Sequence, residues 1–216
     1  MKTRLFTFLL ILIFSSTVVI AQKVSFGVLG GVNFQNLNGK YADGDKLEFD
    51  LLTGFHAGVN VQIPVAEEIF FQPGLLFSTK GAQEKDASVT SKIKLSYLEM
   101  PLNLVYKGLL GKGHVMLGLG PYLGYAIGGK VIAGDVKKDI VFTNEINPNN
   151  PGGDTFFKRF DAGANIFAGY ELANGIFFQL NTQLGLLKIN PKIAGESEND
   201  ASIKNTGFGL SAGYRF

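Results

Sequence analysis

Most of this chain alternates. In LSYLEMPLNLVYK, residues 95–107, the apolar Leu98, Met100, Leu102 and Leu104 are separated by Glu99, Pro101 and Asn103. A period of two places the two sets on opposite faces of a strand. The same pattern recurs in eight segments: Val24–Phe34, Leu51–Ile63, Glu68–Thr79, Lys92–Lys107, His114–Ile127, Arg159–Glu171, Ile176–Leu187 and Ile203–Phe216. In each, one set is Val, Leu, Ile, Phe, Tyr or Ala, and the other is mainly Gly, Ser, Asn and Gln.

The connections alternate too. Those after the second, fourth and sixth segments are short: Pro64–Glu67, Lys107–Gly113 and Ala173–Gly175, the last holding an Asn-Gly hairpin signal. Those after the first, third, fifth and seventh are long and polar: Gln35–Asp50, Lys80–Ser91, Gly128–Lys158 and Lys188–Ser202. An even number of antiparallel strands, with short turns at one end and long loops at the other, predicts an all-β, eight-stranded, up-and-down transmembrane β-barrel. Its turns would be periplasmic and its four longer loops extracellular.

Tracing strand direction sorts the outward aromatics into two groups, as two membrane interfaces require. Phe34, Phe55, Phe77, Tyr125 and Phe160 fall toward the loops, and Phe26, Phe71, Tyr106, Tyr170, Phe178, Tyr214 and Phe216 toward the turns. A soluble barrel would turn the apolar set inward. It would then expose a face of Gly, Ser, Asn and Gln where Lys and Glu are expected.

The first residues stand apart. Lys2 and Arg4, an apolar run from Leu5 to Phe14 and a small residue at Ala21 have the form of a cleaved signal peptide, 1–21, leaving residues 22–216 as one barrel domain. No later segment reaches the 18 or so uninterrupted apolar residues of a membrane-spanning helix. The absence of Cys removes disulfides, thiolate metal sites and a lipid-attachment cysteine. Of the 20 basic residues two lie in the leader, and the remaining 18 match 18 acidic ones. A balanced charge gives no nucleic-acid footprint.

Glu99, Asp161, Glu171, Arg215 and His56 share the small-and-polar face and should point into the lumen, as should His114. Ionisable groups at membrane depth are functional candidates, and narrow barrels also use them to brace their walls; bracing is the commoner role. Arg215 could pair with Glu171, with Glu99 or with neither. The histidines fall toward opposite rims and have no His-x-His partner, so no metal site is read. Asp43, Asp45, Glu48 and Asp50 in the first loop, and Glu196, Glu198 and Asp200 in the fourth, could hold a weakly bound cation. GLGPYLG lacks the spacing of a phosphate loop and GKG at 111–113 lacks the rest of a Walker motif, so no cofactor is implied.

YLEMPLNLVYK, GLGPYLGYAIGG from Gly118 to Gly129, and the final GLSAGYRF resemble the Bacteroidetes outer-membrane beta-barrel domain family, the porin-family or PorT-like proteins. The resemblance covers essentially all of residues 22–216 and implies an integral outer-membrane barrel. Phe216 resembles the terminal signal read by barrel-insertion machinery. A non-enzymatic envelope, loop-display or secretion-supporting role is expected, with outer-membrane lipids and envelope or secretion proteins as partners and no nucleic acid. A narrow solute channel, an outer-membrane lipid-modifying enzyme and a soluble lipid carrier are the alternatives.

Overall fold

The computed structural model describes residues 24–41, 43–85, 90–147, 154–195 and 201–216. The expected leader and the acids Glu196, Glu198 and Asp200 lie outside them. The long strands are β1 Ser25–Lys40, β2 Leu52–Ala66, β3 Ile69–Lys85, β4 Thr90–Leu110, β5 Gly113–Ala133, β6 Phe160–Glu171, β7 Ile176–Gly185 and β8 Ser202–Arg215. Each pairs antiparallel with its sequence neighbours, and β1 pairs with β8 from Gly27↔Arg215 to Lys40↔Ser202. The ring of eight therefore closes. Closure leaves no unpaired sheet edge inside lipid, where no water could satisfy it.

Alternate residues divide between lipid and lumen as the sequence pattern demands. Phe26, Val28, Val32, Phe55, Val59, Leu75, Leu98, Leu104, Leu119, Ile166, Leu180 and Leu210 are exposed on the outer wall, while Asn33, Asn60, Gln72, Glu99, Asn103 and Asn165 are buried inside. Rings pair within the loop-side belt: Phe34 stacks on Phe208 at 5.2 Å and Phe55 meets Phe77 at 5.5 Å. On β1, Phe26 and Phe34 are eight residues apart. At the usual rise and tilt that is roughly 20 Å along the membrane normal, near the height of the apolar band in such barrels.

Two details differ from the pattern reading, and a third decides between its alternatives. The second long connection, read as Lys80–Ser91, is mostly strand, because β3 runs to Lys85 and β4 begins at Thr90. Outside lipid both faces of a strand are polar, so the apolar period fades although the ladder continues. The turn read as Lys107–Gly113 shrinks to Gly111 and Lys112, with Gly111 at φ 62°. Pro101 removes a ladder donor, which predicts a bulge or a local break in pairing, and the structure shows the break, the β4 irregularity lying elsewhere, at Ser96/Tyr97. The ladders lapse around it, between Pro73↔Leu102 and Leu76↔Glu99 on one side and between Pro101↔Tyr122 and Leu104↔Leu119 on the other. Pro101 and Pro121 have no amide proton to give there.

The loops fold over the extracellular mouth. Val136–Asp139 extends the sheet beyond β5, Val141–Phe142 pairs with Phe156–Phe157, and Glu145–Ile146 pairs with Lys192–Ile193. Together with the upper strands they build an apolar cap: Leu37, Ala82, Leu95, Tyr97, Ala126, Ile140, Phe157 and Ile189, with Phe49, Ile93, Val131, Phe142 and Ile203 against it.

Candidate functional site

Beneath the cap lies an ion cluster. Lys80 on β3 faces Glu99 on β4 and Asp161 on β6, with Nζ 2.5 Å from Glu99 Oε1 and 3.2 Å from Asp161 Oδ2. The ammonium also sits over the Tyr122 ring at 4.2 Å and the Tyr97 ring at 5.4 Å. Tyr122 Oη and Asn205 Nδ2 donate to Asp161 Oδ2 at 3.2 and 2.9 Å, and Gln183 Nε2 donates to Glu99 Oε2 at 3.2 Å. Asp161 Oδ1 is buried without a protein hydrogen-bond partner. Two carboxylates thus share one ammonium, with all three side chains buried.

The middle of the lumen is polar and holds no Lys, Arg, Asp or Glu among the hydrogen-bonded groups around His56. His56 Nδ1 lies 2.5 Å from Asn33 Oδ1, and His56 Nε2 lies 2.7 Å from Ser211 Oγ. Asn33 Nδ2 donates to Ser78 Oγ at 3.2 Å, which leaves its oxygen for the imidazole and fixes Nδ1–H as donor. Ser211 Oγ also accepts from Asn181 Nδ2 at 3.1 Å, and Asn165 Nδ2 donates to Asn103 Oδ1 at 3.0 Å. These amides line a cavity of about 50 Å³, room for a few waters and no more.

Next comes an apolar layer of Val105, Met116, Phe167 and Phe177, with Leu29 and Phe70. Two strand glycines make it possible. A Cβ at Gly118 would collide with the Phe167 ring, and one at Gly213 with the Phe177 ring.

At the periplasmic mouth a second ion cluster has the inverse composition. Glu171 on β6 accepts from Lys107 Nζ at 2.6 Å and from Arg215 Nε at 3.0 Å. Arg215 Nη1 donates to Asn60 Oδ1 at 2.9 Å and Nη2 to Gln72 Oε1 at 3.4 Å. Each cation stacks on the apolar layer, Arg215 over Phe177 at 5.2 Å and Lys107 over Phe70 at 5.8 Å.

The five lumen residues expected from sequence are therefore all inside, but in three separate places, with His56 between the two ion clusters. Arg215 pairs with Glu171 and not with Glu99, while Glu99 and Asp161 meet around Lys80. Lys80 and Lys107, the cations that complete the clusters, fall by pattern in a loop and at a turn boundary. Parity held the signal: Gln72, Gly74, Leu76 and Ser78 continue to Lys80, and Tyr97, Glu99, Pro101, Asn103 and Val105 to Lys107. His114 is half-buried at the periplasmic mouth, opposite Glu171 in register and remote from His56.

In the first loop Asp43, Asp45 and Glu48 are exposed, and Asp43 Oδ1 accepts from the Asp45 amide at 3.1 Å. Among the described residues no three His, Asp or Glu side chains gather as a metal-binding group. Partial burial first, and then the nearby charges of Lys192 and Lys188, hold the Lys158 ammonium below the usual lysine pKa.

The family model of the outer membrane protein beta-barrel domain matches residues 20–190. The chain belongs to that family. As a member of the outer-membrane β-barrel domain family it resides in the outer membrane, with its turns in the periplasm and its loops outside. Solved structures similar to it include two of Ail, the attachment invasion locus protein of Yersinia pestis, one in complex with the heparin analogue sucrose octasulfate. Both are 14% identical and cover 90% of this chain and 100% of theirs, with TM-scores of 0.43 and 0.42. No curated protein matches the chain.

Proposed function

We propose that this family member is an exported, non-enzymatic scaffold in the outer membrane, cleaved after residue 21, whose work is done at its extracellular end. Its barrel carries the folded loops and supports envelope assembly or secretion, in the manner implied by the resemblance to PorT-like proteins of Bacteroidetes. Envelope or secretion proteins would be its partners, and the strand ending in Phe216 its address to the insertion machinery.

The observation supporting this reading is the occluded lumen. An apolar cap, an ion cluster, a cavity of about 50 Å³, an apolar layer and a second ion cluster follow one another along the axis. A solute path would need both ion clusters and both apolar layers displaced, which argues against the channel alternative. Conductance across planar bilayers is the test. The closed scaffold should give no stable large open state, and a reproducible one would overturn the reading in favour of a channel. A deletion strain assayed for secretion and envelope integrity then separates loop display from secretion support.

One observation favours the enzyme alternative. Asn33, His56 and Ser211 form a hydrogen-bonded chain in the order that lets an imidazole take a serine proton. It ranks second because Ser211 Oγ also accepts from Asn181, and the adjoining cavity has no room for a lipid ester. Covalent labelling by a fluorophosphonate, lost on Ser211→Ala, would promote it; absence of labelling would remove it.

A further inference from the structure

Just above the extracellular aromatic belt, the outer wall changes chemistry on one side only. On β4 and β5 the lipid-facing Leu98, Tyr125 and Ile127 are all exposed. Higher on the same face stand Lys94 and Lys130, then Lys92 and, on the flanking strand Val136–Asp139, Lys137. Register makes Lys94 and Lys130 direct cross-strand partners, while Lys92 and Lys137 flank Ile132 from either side. Asp139 is the acid paired opposite Lys130, with a carboxylate oxygen 3.8 Å from its Nζ and both side chains well exposed.

Like charges placed directly opposite one another weaken a sheet. Four ammoniums around one exposed carboxylate therefore call for an anion that bridges them. Height selects the kind of anion. Lys94 lies four residues beyond Leu98, about 10 Å further along the normal at the usual rise and tilt. That is past the hydrocarbon edge and among the headgroups. The surface as a whole is amphipathic, basic above and apolar below, whereas a soluble polyanion would need only the upper half.

We propose that the outer face of β4, β5 and Val136–Asp139 is a binding site for a phosphorylated glycolipid of the outer leaflet. Lys94 and Lys130 hold a headgroup phosphate between them, Lys92 and Lys137 extend the cationic surface to a neighbouring phosphate, and the acyl chains lie along Leu98, Tyr125 and Ile127. The site is independent of what the loops or the lumen do.

Purified barrel in detergent micelles, titrated with diphosphoryl lipid A, tests this. The comparisons are lipid A stripped of its phosphates and inorganic phosphate alone. Heat-modifiable gel mobility reports folding of each variant. Lys94→Gln/Lys130→Gln should bind diphosphoryl lipid A about tenfold more weakly or worse, Lys94→Gln alone should lose part of that, and Lys112→Gln at a periplasmic turn should lose nothing. Unchanged affinity in the folded double variant would overturn the site. Equal binding of the stripped lipid would also overturn it, leaving only a hydrophobic contact. Inorganic phosphate binding as tightly as the lipid would overturn the lipid as occupant and leave a soluble-anion site.

Discussion

The two ion clusters of the lumen use the same chemistry with inverted stoichiometry and unequal access to water. The extracellular one sets Glu99 and Asp161 around Lys80, with side-chain exposures of 2%, 0% and 0%. The periplasmic one sets Lys107 and Arg215 around Glu171, with exposures of 12%, 4% and 9%. In both, cations lie on aromatic rings, Tyr122 and Tyr97 in one and Phe177 and Phe70 in the other. What differs is the minority charge: one ammonium between two carboxylates above, one carboxylate between two cations below. Removing a minority ion leaves like charges facing each other, whereas removing a majority ion leaves a matched pair. How much either matters depends on the water that can reach what remains.

The hardest break is therefore Lys80→Met. It leaves two carboxylates under an apolar cap, and unfolding by urea in detergent or lipid should show a loss of about 3–5 kcal/mol. Lys80→Met/Glu99→Gln/Asp161→Asn should recover most of it, because no uncompensated charge is then buried. A single variant as stable as the wild type would refute a buried, charge-sharing upper cluster. Glu171→Gln comes next. It leaves Lys107 and Arg215 facing each other near the periplasmic mouth, where partial solvation limits the loss to about 1.5–3 kcal/mol. If Glu171→Gln proved costlier than Lys80→Met, burial would not be what separates the clusters.

The contrast also marks what could be read from the chain. The barrel, its strand number, its orientation and both aromatic belts were legible because lipid and lumen impose opposite demands on alternate residues. Glu99, Asp161, Glu171, Arg215 and His56 were legible as lumen residues for the same reason. The pairings were not. Arg215 could be joined to Glu171 only once strand register was known, since β8 and β6 are separated by β7 and the reach depends on tilt and shear. Lys80 escapes the alternation because the apolar set stops before it, where lipid stops but β3 does not. The Ser211–His56 contact spans 155 residues and joins two ordinary strand positions, so no local motif announces it.

Removing a majority cation should have a smaller effect. In Lys107→Met the Glu171 carboxylate keeps Arg215, and Lys107 is the most exposed member of either cluster. A loss of about 1 kcal/mol or less is expected, shrinking further as salt screens the pair. Urea unfolding of Lys107→Met at low and high ionic strength checks both halves. A loss as large as that of Glu171→Gln, or one indifferent to salt, would mean that the lower cluster is as closed to water as the upper.

The smallest effect should come from Glu99→Gln, although it alters a buried charge in an apolar-looking strand. Glu99 is one of two acids on Lys80, and it has fewer donors than Asp161, which accepts from Lys80, Tyr122 and Asn205 through Oδ2. Glutamine has the same shape. Its amide oxygen can still face Lys80, and its amide nitrogen can face the Gln183 side-chain oxygen once that amide turns over. One ammonium then meets one carboxylate, so the lost attraction between Lys80 and Glu99 is offset by relief of the repulsion between Glu99 and Asp161. Stability by urea unfolding should stay within about 1 kcal/mol of the wild type, on either side. A loss of Lys80→Met size would show that Lys80 needs both carboxylates, and that counting charges is the wrong way to compare the two ends of this lumen.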